Sequence, residues 1–132
     1  MVESKNDQAP NASQIDFKIS IVKHDVVDNA YAVYLIKVVG PKDISFHIRD
    51  RYSSIREFQS MVKKNIESTD GTPNFPKKRF WGNLDADWLE LRTRQLSLFL
   101  NTFLAHPHVK ACKLVPIYFK GKAYGEGSQE AI

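Results

Sequence analysis

The residues of this chain that could do chemistry are mostly cations and aromatics. Arg51 and Tyr52 stand side by side. Lys77, Lys78 and Arg79 run together and lead directly into Phe80 and Trp81. Arg92 shares the spacing 92, 96, 99, 103 with Leu96, Phe99 and Phe103. An arginine presents a planar fork suited to phosphate or to two adjacent hydroxyls, and a lysine presents a compact point charge. The chemistry open to such a set is recognition of an anion. Each feature also has an ordinary reading. On composition alone, Arg51 and Tyr52 read as a surface arginine and a half-buried tyrosine. Arg92, at the head of an apolar stripe, either snorkels to solvent or meets an anion in a cleft. A charge run is usually a solvated face. That explains the three cations of the run but not Phe80 and Trp81, because exposed aromatic pairs mark a partner or membrane surface.

Catalytic readings find no support. There is no Walker loop, dinucleotide fingerprint or nucleophile elbow. His106, His108 and Cys112 are too few and poorly spaced for a closed metal site, and Cys112 has no sequence partner for nucleophilic work. Asp85 and Asp87 read as acids at a helix start. The chain is expected not to be an enzyme, and to need no cofactor and no metal.

These groups need elements to position them. Ile15, Phe17, Ile19 and Ile21 alternate with polar residues and predict a half-buried strand. His24 to Asn29 reads as a turn with Val26 and Val27 at its tip. Tyr31 to Val39 is apolar on both faces, as in a central strand. Gly40-Pro41-Lys42-Asp43 is a turn, and Ile44, Phe46 and Ile48 alternate again in a third strand over 44–50. Short links make this an antiparallel meander. Ile55, Phe58, Val62 and Ile66 predict a helix over about 53–67, with Ser54 and Glu57 spaced as a capping box. Arg51 and Tyr52 therefore sit at a strand-to-helix junction, where unpaired backbone N–H groups favour an anion. A long loop over 68–83 carries the cation–aromatic run; loops of this length are often functional. A second helix over about 85–105 carries Arg92 and is stopped by Pro107. Val109 to Phe119 adds apolar residues, interrupted by Pro116. The fold class expected is α+β: a three-stranded antiparallel β-meander packed against a helical subdomain.

The 132 residues suit one domain, with 42% hydrophobic and 26% charged residues, as in globular chains. The expected organisation is a disordered lead-in over 1–14, a domain over 15–120 and a flexible tail over 121–132. The polar tail suggests a domain excised from a longer protein. A net charge of +4 makes an anionic partner plausible. The single cysteine forms no internal disulfide, and the polar N-terminus lacks a signal peptide's apolar region, so a cytosolic setting is expected. No run approaches the ~18 apolar residues of a spanning helix.

Taken in order, three pieces resemble one family. Arg51-Tyr52-Ser53-Ser54-Ile55 ends the third strand, Pro76-Lys77-Lys78 lies in the loop, and Arg92 precedes Leu96 by four residues. Residues 15–120 thereby resemble a phox-homology (PX) domain, a phosphoinositide-binding module found in sorting nexins, oxidase subunits and some kinases and SNAREs. The resemblance implies that Arg51 pairs with the 3-phosphate of an inositol ring and that Tyr52 packs beneath the ring. It implies that Lys78 neutralises the 1-phosphate and Arg92 holds the 4- and 5-hydroxyls. Phosphatidylinositol 3-phosphate is the implied lipid. The implied location is peripheral, on the cytosolic face of endosomal or vacuolar membranes, in membrane trafficking. Phe80 and Trp81 would enter the bilayer interface, Val26 and Val27 would form a smaller wedge, and Lys77 and Arg79 would meet anionic lipid. Two positions depart from the family pattern. Asp50 stands where a second basic residue is usual, and it either orients Arg51 or weakens the field around it. Ile55 stands for the usual Phe. The alternative reading is a protein-interaction module of the same fold, with an SH3-type partner on Pro73-x-x-Pro76. A nucleic-acid partner is not expected, because the cations cluster in one loop instead of spreading over a stacking platform.

Overall fold

A computed structural model describes residues 16–123. The expected lead-in over 1–14, the first strand residue Ile15 and the tail from 124 lie outside the described residues. Three strands form one antiparallel sheet in the order β1 (Lys18–Val27), β2 (Tyr31–Val39), β3 (Ser45–Arg51). Alternation decides what each strand buries. Tyr34, Ile36 and Val38 of β2 face the core with Ile19 of β1 and Ile48 of β3, while Ser45, His47, Arg49 and Arg51 point away.

The helices cover the core face. α1 (Tyr52–Lys64) follows β3 without a break, and buries Ile55, Phe58 and Val62. α2 (Ala86–Ala105) buries Leu89, Arg92, Leu96, Phe99, Leu100, Phe103 and Leu104. α3 (Pro107–Lys110) is one turn, and α4 (Leu114–Lys122) closes the core with Val115 and Phe119. α2 lies along β1. The Asn101 side chain bonds both backbone groups of Ile19, accepting from its N–H at 2.8 Å and donating to its carbonyl at 2.9 Å. It thereby pairs part of a strand edge that has no further strand beside it among the described residues. The architecture is the expected α+β arrangement, a three-stranded meander under helices.

Four local expectations are corrected. β1 continues through His24 to Val27, so the segment from His24 is strand and not turn. Its pairing register shifts at Val22, a bulge that resets which residues face inward. The turn is Asp28-Asn29, both with positive φ (52° and 54°), as a tight hairpin requires. Val26 and Val27 end the strand instead of capping the turn. The Ser54–Glu57 capping box does not form, because α1 begins at Tyr52 and the Ser54 hydroxyl donates to Asp50 at 3.0 Å. Pro116 does not interrupt the last apolar segment. It sits in the first turn of α4, where its missing N–H has no intrahelical partner to lose. α4 also reaches Lys122, into the span expected as tail.

The connection between α1 and α2 has no helix or strand of its own, yet it is fastened at several points. His106 Nδ1 accepts from the His108 N–H at 3.2 Å, so Nε2 is the donor to the Asp70 carbonyl at 2.7 Å. Phe75 packs edge-on against Phe99, 4.9 Å between ring centroids. Tyr52 and Arg92 hold the next two residues, as described below.

Candidate functional site

Arg51 is the last residue of β3. Its neighbour Asp50 points into the core and is 5% exposed, whereas Arg51 points out. The Arg51 guanidinium lies 4.0 Å over the ring centroid of Tyr31. Register explains the meeting: Arg51 pairs with Val33, which makes Tyr31 its diagonal neighbour on the same sheet face. Because α1 starts at Tyr52, the positive end of its backbone dipole adjoins the Arg51 side chain.

Asp50 is saturated from other directions. Its carboxylate accepts from the Arg51 backbone N–H at 2.9 Å, from Ser54, from the Tyr118 hydroxyl and from Lys122 Nζ at 3.3 Å. It reaches Arg51 through the backbone N–H, and so orients the residue from the main chain.

Arg92 is the buried cation of the site, 3% exposed. Its guanidinium lies 4.4 Å over the Tyr52 ring and 4.5 Å over the Trp88 ring. Nη2 donates to the Lys77 carbonyl at 2.5 Å. Nη1 is buried with no partner among the described residues. Burial draws the guanidinium pKa downward, and the Tyr52 and Tyr34 hydroxyls draw it back up. Burial likewise lifts Tyr34 to about 12, against the pull of Arg92. The Tyr52 hydroxyl donates to the Pro76 carbonyl at 2.6 Å. Tyr52 and Arg92 together therefore fix consecutive loop carbonyls, Pro76 and Lys77, immediately before Lys78.

A cavity of about 210 Å³ opens between these elements. Arg51, Tyr52, Lys78 and Arg92 all line it, so the structure brings together the four residues singled out as headgroup ligands. Arg79 lines it as well, which makes four cations, and no carboxylate among the described residues joins them. Lys77 and Lys78 are exposed. Phe80 and Trp81 do not line the cavity. They stand beside it in the loop, 77% and 76% exposed, with Lys78 Nζ 5.9 Å from the Phe80 ring centroid. Val26, 40% exposed, and Val27, half-buried, lie on the hairpin and outside the cavity lining. Pro73 and Pro76 are half-buried.

Sequence reasoning missed Trp88, Tyr31 and Tyr34 as lining residues. Trp88 was visible as an aromatic four residues before Arg92, on the same helical face. Tyr31 required the strand register. Among the described residues, no helix is long and apolar enough to cross a membrane.

Comparison with known proteins identifies the family. A family model described as PX domain matches residues 38–121. Sorting nexin-13 of Homo sapiens is 31% identical over 81 residues, 58% of this chain and 8% of that protein. Sorting nexin-13 of Mus musculus is 28% identical over the same length and shares. The chain thus spans only a small part of the curated relatives it matches. It belongs to the PX domain family, a family of non-catalytic, phosphoinositide-binding modules.

Proposed function

We propose that this chain is a membrane-targeting module that recognises phosphatidylinositol 3-phosphate. The observation that carries the reading is the convergence of Arg51, Lys78, Arg79 and Arg92 on one cavity, with a buried Arg92 Nη1 that has no partner among the described residues. Such a donor is costly unless something accepts from it. In the proposed complex, Arg51 takes the 3-phosphate beside the start of α1, and Arg92 presents Nη1 to the 4- and 5-hydroxyls. Lys78 takes the 1-phosphate at the membrane side, and Tyr52 supplies the aromatic wall on which Arg92 rests.

Attachment has two parts. Charge-assisted hydrogen bonds contribute ~1.5–3 kcal/mol each, so three cationic ligands support roughly micromolar binding after ordering costs. Phe80 and Trp81 add residence by entering the interface, up to ~1.5–3 kcal/mol each if fully buried. Lys77 and Arg79 add about 1 kcal/mol each near an anionic leaflet. Val26 and Val27 form a lesser apolar contact on the hairpin. The expected location is peripheral, on the cytosolic face of endosomal or vacuolar membranes.

The alternative, an SH3-type partner on Pro73-x-x-Pro76, has less support. Phe75 between the two prolines packs on Phe99, and the Pro76 carbonyl is held by Tyr52, so the segment is fastened to its own domain. Liposome sedimentation across the phosphoinositide series tests the reading. The expected result is retention on phosphatidylinositol 3-phosphate vesicles, lost in Arg51→Ala. Equal sedimentation of wild type and Arg51→Ala overturns the pocket assignment.

A further inference from the structure

Arg92 is held by a residue that none of the recognised motifs contains. Trp88 lies one helical turn before it on α2. Besides Arg92 at 4.5 Å, the guanidinium of Arg79 lies over the same indole ring at 4.6 Å. Trp88 also lines the cavity. One half-buried ring thus touches the buried cation of the pocket and a cation of the loop that carries Phe80 and Trp81.

The physical consequence follows from the shape of a guanidinium. Its faces are weakly hydrated and stack on rings, while its donors lie in the plane at the edge. With Tyr52 and Trp88 both against it, the Arg92 plane is fixed. Nη2 is committed to the Lys77 carbonyl, and Nη1 is the edge left over. A flexible arginine would lose rotamer freedom on meeting a ligand; one already fixed does not.

We propose that Trp88 is a positioning residue of the headgroup pocket: its indole sets the plane of Arg92 and, through Arg79, docks the start of the aromatic loop on the same ring. This rests on the phosphoinositide reading of the cavity. The substitutions that test it are Trp88→Phe, which keeps a ring, and Trp88→Ala and Trp88→Leu, which do not.

The probe is soluble inositol 1,3-bisphosphate, titrated calorimetrically, with thermal unfolding recorded for each variant. Trp88→Phe is expected to bind within about threefold of wild type, and the ringless variants at least about tenfold more weakly, as loss of preorganisation implies. Ringless variants that titrate like wild type, while Arg92→Ala loses binding, overturn the proposal and leave the pocket reading intact. A wild-type protein that does not bind the probe overturns both. A second measurement leaves Trp88 untouched. The chain has two tryptophans, so Trp81→Phe leaves Trp88 as the sole indole. Its emission is expected to change saturably with the probe. Emission that stays constant while calorimetry records binding overturns the proposal.

Discussion

The Tyr118 hydroxyl donates a hydrogen bond to the Asp50 carboxylate, and so ties α4 to the junction from which Arg51 projects. The same carboxylate takes the Arg51 N–H, the Ser54 hydroxyl and the Lys122 ammonium. A carboxylate beside a cationic pocket looks like a liability in the sequence. In the structure it faces the core, is answered by four donors, and acts on Arg51 through the backbone.

Asp50→Ala is therefore expected to be destabilising. Lys122 is 35% exposed and can turn to water, but the Tyr118 hydroxyl loses the acceptor that satisfies it. Leaving one buried polar group unpaired costs about 1–3 kcal/mol. Urea denaturation measures the loss, and headgroup titration of the folded fraction should show weaker binding as the Arg51 backbone loosens. Unchanged stability would mean that water reaches Tyr118.

Alkaline pH should reveal the buried tyrosines. Burial first, then the Asp50 charge and hydrogen bond, raise the Tyr118 pKa above its ordinary value, and burial raises Tyr34 from 10.0 to about 12. The folded state thus holds protons that the unfolded state has released. Stability from this source is complete below about pH 10 and falls as pH rises beyond it. Tyr34→Phe should flatten the loss between about pH 10 and 12 in a pH series of denaturation curves. A slope identical to wild type would remove Tyr34 from the account.

Much of the scaffold was legible because burial imposes simple periods. β2 and β3 alternate, and α2 carries its apolar residues on one stripe, so Arg92 could be placed before its surroundings were known. The second half of β1 is hidden in the sequence because Lys23, His24 and Asp25 are polar. An edge strand at a bulge tolerates such residues, and the bulge at Val22 breaks the alternation that a reader follows. The pocket ligands were recognisable through motif spacing. Their supports were not, because Tyr31 reaches Arg51 only across the β2–β3 register. Asp50 is satisfied by Tyr118 and Lys122, about 70 residues away, and contacts at that separation leave no local pattern in sequence.

Asn101 offers a test of how β1 is held. Its side chain supplies both a donor and an acceptor to Ile19, so Asn101→Ala removes two hydrogen bonds at a strand edge. The expected cost is about 1–3 kcal/mol. Amide exchange at Ile19 should accelerate more than exchange in β3. Asn101→Asp keeps the acceptor for the Ile19 N–H and loses the donor to its carbonyl, so it should fall between alanine and wild type. Equal exchange at Ile19 in all three proteins would show that α2 holds the strand by packing alone.

Phe80 and Trp81 separate folding from membrane attachment. At 77% and 76% exposure they bury little in the free domain, and Phe80→Ala and Trp81→Ala should leave thermal stability within about 0.5 kcal/mol of wild type, as surface changes usually do. Vesicle binding should respond differently. Each ring can contribute up to about 1.5–3 kcal/mol when withdrawn from water, so each substitution is expected to weaken retention on phosphatidylinositol 3-phosphate vesicles, by up to about a hundredfold. Neither should change the affinity for the soluble headgroup, because neither ring lines the cavity. Salt sharpens the comparison. Screening should weaken the contributions of exposed Lys77 and Lys78 while sparing the part due to the aromatic rings. A parallel loss of soluble-headgroup affinity in Trp81→Ala would move Trp81 from the membrane edge into the support of the pocket.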